Sequence, residues 1–271
     1  MDISIIIINY NTFELTCKCI ESLYQFNEGF SYEIILVDNA SIECDANLFK
    51  AKFPAINLII SEKNLGFAGG NNLGIQYANG NFILLLNSDT ELIENSILMC
   101  LKKMNEDKKI GVLSTKLIFP DGKHQPAAQR FPTIKYKLIE LFRIQKLFSK
   151  RNRGKLLLGA FFDHNENAEA DWVWGAFFLF RKEILSLLPN QKLDDTYFMY
   201  WEDVQWCMDI KKLGYKIYYF AETKIIHKMG GSAGKKNELM EKNAVVFLKK
   251  NYTNFEIKWI KQLDKWLSKK F

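Results

Sequence analysis

Residues 82–91 read FILLLNSDTE. A run of five apolar residues meets Asn87-Ser88-Asp89 with no transition. Apolar residues closed by a polar turn spell a buried strand whose carboxyl end opens to solvent. In open α/β sheets that end is where ligands sit. Asp89 therefore stands where a hard cation and a phosphorylated ligand can be held together. The plainer alternative is a strand and a polar turn with no site.

Working outward, strand and helix alternate. Residues 3–8 are a continuous β-branched run, as a parallel strand buried on both faces requires. Helical spacing follows over 12–26, with Thr12 as N-cap. Strands are predicted over 33–37, 56–60, 82–86 and 111–117, and helices over 68–78 and 96–105. This order implies a mostly parallel, doubly wound sheet. From about 120 to 170 the pattern weakens. Pro, Gly, Asp and Asn cluster at both ends and basic residues dominate 135–155, which reads as an insertion, partly mobile, with its own helix. Order returns with an apolar run over 172–180, helices over 181–188, 200–213 and 235–250, and a strand over 216–220. Residues 256–271 place Ile257, Trp259, Ile260, Leu263, Trp266, Leu267 and Phe271 on one stripe, with lysines opposite. The organisation is thus a first half, 1–118, a second half, 119–255, and an amphipathic C-terminal helix, 256–271.

The 271 residues, 48% hydrophobic and 25% charged, suffice for one large α/β domain or two merged halves. A net charge of +6 fits an anionic ligand, a membrane surface or nucleic acid without choosing between them. The five cysteines form no CxxC pair or zinc-like set, so a reduced, cytoplasmic setting is expected. The N-terminal apolar run is too short for a signal peptide. No stretch approaches the ~20 apolar residues of a membrane span.

Chemistry-bearing residues gather at the strand ends: Asn9-Tyr10-Asn11, Asp38-Asn39-Ala40-Ser41, Asn87-Ser88-Asp89, and the stretch from Asn64 through Gly66 to Asn71 and Asn72. One such turn means little, since turns need these residues. Several on one edge of a parallel sheet describe a nucleotide-sized crevice. Asp38 can accept from a base N–H while Tyr10 packs beside the ring, or Asp38 can simply cap a turn. The Gly66–Gly70 stretch lets backbone approach an anion at a helix N-terminus, or serves tight packing. It is neither GxGxxG nor a Walker loop.

A second region runs from Asp194 to Gln205. Glu202 and Asp203 follow an aromatic run that includes Tyr200 and Trp201, and they open a helix. Helix capping is one reading. The other is a sugar-sized groove, with Trp172 and Trp174 as further wall, in which a carboxylate takes a proton from an alcohol. Each Trp is equally compatible with a core position. The third region is His227-Lys228-Met229-Gly230-Gly231-Ser232. Its Gly231-Ser232 turn offers N–H groups to a phosphate, and His227 can complete a cation site with Asp89 or be structural.

Together the stretches IIIINYN, ILVDNAS, NLGFAGGNNLGI, LLLNSDTEL, WVWGAFFLFRKE, FMYWEDV and IIHKMGGSAGK resemble the family 2 glycosyltransferases of GT-A fold, closest to their rhamnosyltransferase-like branch. The order is the family's and the resemblance spans about residues 3–235. It implies a Rossmann-like sheet, with 1–118 binding a nucleotide sugar, merged with a smaller acceptor-binding half. It implies inverting transfer of a sugar, with rhamnose as first choice, from a dTDP- or UDP-linked donor to a glycan or polyprenyl-linked acceptor. Asn87-Ser88-Asp89 matches the family's DxD-type motif, so Asp89 would ligate Mn²⁺ or Mg²⁺ and His227 would approach the metal or the diphosphate. Asp38 and Tyr10 match nucleoside-binding positions. With them, Asn9, Asn64, Gly66, Asn71, Asn87, Ser88, Gly231 and Ser232 make up the donor-site candidates. Asp203 matches the catalytic base, with Glu202 as fallback. Trp172, Trp174, Tyr200 and Trp201 are the acceptor-side candidates. The chain departs from the family at Gln205, where another acid is common.

Inverting transfer is a single displacement that needs no enzyme nucleophile, and the chain offers no poised nucleophile motif. A glycosidase needs two acids flanking one bond, whereas these acids divide between a crevice and a groove. A nucleotidyltransferase would carry a basic Gly-rich loop that IIIINYN lacks. A catalytically silent nucleotide-sugar or glycan-binding module is the rival of another class. Nucleic-acid binding finds no supporting module. The C-terminal stripe and the basic, apolar-interleaved segment 135–155 suit either an anionic membrane face or packing within the protein.

Overall fold

The computed structural model of the chain describes residues 1–229 and 236–268. In chain order the strands are β1 (Ile3–Asn9), β2 (Tyr32–Asp38), β3 (Asn57–Ile60), β4 (Phe82–Asn87), β5 (Thr90–Leu92), β6 (Ile110–Ile118), β7 (Ala128–Gln129), β8 (Ala168–Ala170), β9 (Trp172–Val173), β10 (Phe177–Arg181) and β11 (Lys216–His227). The α-helices are α1 (Phe13–Phe26), α2 (Asn47–Lys52), α3 (Gly66–Ile75), α4 (Ser96–Glu106), α5 (Ile134–Leu141), α6 (Lys150–Leu157), α7 (Glu202–Lys212), α8 (Lys236–Asn251) and α9 (Asn254–Ser268).

The main sheet runs β3-β2-β1-β4-β10-β6-β11-β5, with β8 on the flank of β11. Pairings among β1–β4 are parallel, as is β6 with β11. β10 enters antiparallel between β4 and β6. A strand from the second half is thus stitched into the first, and the two halves share one sheet.

β1 explains its own central place. Ile3, Ile5 and Ile7 enter the layer containing α1 and α4, while Ile6 enters the layer containing α3 and α7. Both faces are covered, so every position can be apolar. α1 lies on one face and α3 on the other, so the connections diverge around β1 and β4. That divergence is a topological switch point, where a crevice opens at the strands' carboxyl ends. α3 lies close on the sheet because of Gly74, where a Cβ would come 2.6 Å from Ile6 Cγ2.

The structure departs from the sequence reading in four places. β11 continues to His227 through a register shift between Phe220 and Lys224, instead of stopping near 220. Residues 182–187 form a 3₁₀ segment, not an α-helix. The insertion carries two α-helices, α5 and α6. The stripe of α9 is split. Ile260 and Leu263 are buried, while Trp259 and Trp266 are exposed, and α9 packs against α5 with a Lys137–Asp264 ion pair. Phe271 lies outside the described residues.

Candidate active site

The ends of β1, β2 and β4 line up in register: Asn9 faces Asp38 and Ile8 faces Asn87. Asn9 donates from Nδ2 to Asp38 Oδ1 at 2.8 Å and to Ser41 Oγ at 2.9 Å. Its Oδ1 accepts from the Thr12 and Thr16 hydroxyls. With no exposed surface and both ends of its amide engaged, Asn9 orients Asp38 from behind and does not line the crevice. The second oxygen of Asp38 accepts the Ser41 N–H at 3.1 Å. Asn11 and Ala40 both take left-handed backbone in these turns, a cost usually tolerated at binding loops. Tyr10 is 44% exposed beside them.

Asn64 and Asn71 also serve the scaffold. Asn64 Oδ1 accepts from Gly66 N–H at 2.8 Å and from Asn39 Nδ2 at 3.0 Å. Asn71 donates to the Phe67 carbonyl and is 1% exposed. Gly66 has φ +73°, and a Cβ there would sit 2.2 Å from the Phe198 carbonyl oxygen. That carbonyl accepts the Phe67 N–H at 2.8 Å. Gly66 is therefore required where the loop carrying Phe198 docks on the start of α3, which is the packing use of this glycine stretch.

Asp89 and His227 meet. β5 pairs antiparallel with β11 so that Thr90 faces His227, and the Lys228 N–H donates to the Asp89 carbonyl at 2.9 Å. His227 Nε2 lies 3.4 Å from Asp89 Oδ1, with both side chains about nine-tenths buried. Asn87 Oδ1, two residues before Asp89, is buried with no hydrogen-bond partner. Ser88 Oγ lies 3.1 Å from Thr12 Oγ1. An imidazole nitrogen and a carboxylate 3.4 Å apart suit a divalent cation that takes its other ligands from phosphate oxygens and water. Among the described residues no cluster of three His, Cys, Asp or Glu forms a full protein cage. Gly231 and Ser232 lie outside the described residues.

Asp203 sits at the first turn of α7. Its Oδ1 accepts the Val204 N–H at 2.8 Å and its Oδ2 accepts the Gly175 N–H at 3.1 Å. The next residue, Ala176, accepts the Asn87 N–H through its carbonyl at 3.1 Å. Two adjacent residues of one turn thus hold the Asp203 carboxylate and the Asn87-Ser88-Asp89 motif. Burial pushes the Asp203 carboxyl up to about 6, against the pull of the backbone N–H groups it accepts from. Glu202 is 6% exposed and its Oε2 is buried without a partner. Burial raises both acids, and Glu202, with the Asp203 charge beside it, is held well above the carboxylate range. Helix capping is also real here, since Asp203 accepts from Val204, so the capping and functional readings coexist.

The start of α7 is strained and held. Tyr200 and Trp201 are consecutive left-handed residues. Asn243 of α8 donates to the carbonyls of Met199 and Tyr200 at 2.8 and 3.0 Å. Trp201 packs on Phe247, ring centroids 5.1 Å apart. Trp172 donates its indole N–H to the Arg130 carbonyl, and Trp174 packs against the α1/α4 layer. Trp172, Trp174, Tyr200 and Trp201 are all partly exposed, so each joins packing with an accessible edge. Gln205 is fully buried, accepting from Asn251 and donating to Asp209. That network removes it from any acceptor contact. Sequence reasoning missed Asn243 and Gln125. The last donates to the His227 carbonyl from within the insertion, and the loop around it gave no periodic signal.

The chain is similar to known glycosyltransferases in sequence and fold. A hexosyltransferase of low-salt glycan biosynthesis from Haloferax volcanii is 26% identical over 211 residues, covering 76% of this chain and 60% of the relative's length. The rhamnosyltransferase WbbL of Escherichia coli is 25% identical over 236 residues, covering 82% of each chain. The solved mannosyltransferase from Pyrobaculum calidifontis, in complex with GDP-Man and Mn²⁺, superposes with a TM-score of 0.58 at 14% identity, covering 85% of this chain and 58% of that one. The fold is GT-A, as the sequence resemblance implied. The model of glycosyl transferase family 2 matches residues 4–187, and the chain belongs to that family.

Proposed function

We propose that the protein is an inverting glycosyltransferase that moves a sugar, rhamnose first among candidates, from a dTDP- or UDP-sugar to a hydroxyl of a glycan or polyprenyl-linked acceptor. The observation that carries this reading is the Gly175-Ala176 turn. It holds a carboxylate of raised pKa on one side and the Asn87-Ser88-Asp89 motif on the other.

Asp203 takes the proton of the acceptor hydroxyl. The oxygen attacks the anomeric carbon from the face opposite the leaving diphosphate. The bond from that carbon to the diphosphate oxygen breaks, its electron pair departs with the diphosphate, and configuration inverts. A bound Mn²⁺ or Mg²⁺ supplies Lewis-acid neutralisation of that charge. Asp89 and His227 would hold it, with Asn87 Oδ1 as a further oxygen. Asp38 and Tyr10 receive the base of the nucleotide, and the partly exposed tryptophans face the acceptor.

The insertion and α9 present Phe142 at 68%, Leu147 at 85% and Phe255 at 67% exposure among lysines. No helix among the described residues is long and apolar enough to cross a membrane. Association with an anionic bilayer surface is the reading these residues favour. It suits a lipid-linked acceptor reached from the cytoplasmic face.

The test is a thermal-shift panel of nucleotide sugars with and without Mn²⁺, followed by product analysis with an alcohol acceptor. A nucleotide sugar that stabilises only with metal, and is consumed with inversion, supports the proposal. Retention of configuration, or stabilisation without any turnover, overturns it in favour of another mechanism or a silent binding module.

A further inference from the structure

We propose that Gln125 is a positioning residue that locks His227 in the tautomer whose free Nε2 lone pair faces Asp89. The inference rests on the proposed metal-dependent transfer for its purpose, and on hydrogen-bond geometry alone for its substance. Gln125 lies in the loop after β6, has no exposed surface, and donates its own N–H to the Leu117 carbonyl at 2.8 Å. Its side chain grips His227 at two points. Gln125 Nε2 lies 2.7 Å from the His227 carbonyl oxygen, and Gln125 Oε1 lies 2.7 Å from His227 Nδ1.

These two contacts determine the proton's place. A carbonyl oxygen only accepts, so the amide NH₂ must face it, and flipping the amide would set oxygen against oxygen. Oε1 then faces Nδ1 and can only accept, so Nδ1 carries the hydrogen. In the neutral ring the other nitrogen, Nε2, is left bare. It lies 3.4 Å from Asp89 Oδ1. A buried hydrogen-bond partner on the far ring nitrogen is how metal-binding histidines are oriented. Without Gln125, the ring would place its hydrogen on Nε2 and donate it to Asp89.

The chain has only three histidines, so the tautomer is directly readable. Long-range ¹H–¹⁵N spectra of histidine-labelled, metal-free protein at pH 8, assigned with His124→Gln and His164→Gln variants, are expected to show Nδ1–H for His227. Gln125→Leu removes both contacts and is expected to shift His227 toward Nε2–H. Gln125→Glu keeps an acceptor at Nδ1 and is expected to retain Nδ1–H. Mn²⁺ titrated with UDP and followed by electron paramagnetic resonance should bind roughly 10–100-fold more weakly to Gln125→Leu. An Nε2–H signal in the unsubstituted protein, or an unchanged tautomer in Gln125→Leu, overturns the proposal. Should Gln125→Leu not fold, the unsubstituted and Gln125→Glu spectra still decide it. A tautomer that moves as expected while no variant binds Mn²⁺ supports the positioning role and refutes the metal reading instead.

Discussion

Replacing Gly66 with alanine tests whether Asp203, the proposed base, is positioned by docking its loop on α3. The perturbation has two parts. At φ +73° a side chain costs about 1–2 kcal/mol in left-handed backbone. The new Cβ would also lie 2.2 Å from the Phe198 carbonyl oxygen, a backbone atom that must give way by most of an ångström. That movement breaks the bond from Phe67 N–H, worth about 1 kcal/mol. The sum is about 2–3 kcal/mol, or roughly 4–6 °C in melting temperature for a chain of this size. Gly214 is the control. It has φ +90° with nothing within 4 Å of a built Cβ, so Gly214→Ala carries only the backbone part, roughly 2–4 °C. Both can be read by thermal denaturation followed through tryptophan fluorescence, since Trp201 and Trp206 lie beside the docked loop. The loop leads directly into Asp203, so the folded Gly66→Ala protein should also lose about 10²-fold in transfer rate. If Gly66→Ala melts together with Gly214→Ala and transfers at full rate, the docking argument fails.

Four further outcomes follow from the site. Asp203→Asn, assayed by initial rates of transfer, should fall by about 10²–10⁴-fold while remaining folded, and full activity would remove Asp203 from the base role. The transfer rate should fall as pH drops through about 6, because Asp203 must be ionised to accept a proton; a rate constant down to pH 4 would contradict this. Stability carries the same signature with a definite sign. Glu202 and Asp203 have raised folded-state pKa values, so the native state keeps protons the unfolded chain releases from about pH 4 upward, and stability falls as pH rises through that window. Glu202→Gln should flatten this dependence in urea melts at pH 4 to 8. Finally, Asp89→Asn should abolish the extra thermal stabilisation that Mn²⁺ gives with a nucleotide sugar, while a metal-independent shift from nucleotide alone is retained.

Much of the fold was legible because its strands are buried on both faces. Continuous apolar runs such as 3–8 and 82–86 have one simple reading, and each ends at an abrupt polar turn that marks the edge of the sheet. β11 was read short because its register shift near Phe220–Lys224 flips the facing of its side chains, so the pattern seems to stop where the strand continues. The 3₁₀ segment over 182–187 shares the apolar spacing of an α-helix over so few residues. Among the candidate residues, Asp38, Asp89, Asp203 and His227 stand out in the sequence through their places after strands or at a helix start. Asn9 and Asn71 read as donor-site candidates, whereas both side chains are buried in hydrogen bonds to neighbouring protein atoms; side-chain type cannot reveal which face of a turn is buried. Gln125 was invisible for a plainer reason: its importance depends on a pairing 102 residues away in sequence, and nothing local encodes that.

The turn at Gly175-Ala176 has an evolutionary consequence. The proposed base, Asp203, and the Asn87-Ser88-Asp89 motif are both tethered through main-chain atoms, at the mouth of a strand locked inside the sheet. Side-chain drift around them does not alter that tether. Loops that choose the sugar or the acceptor can therefore be rewritten freely, as a workshop changes its jigs without moving the bench, and new specificities need not reinvent the reaction.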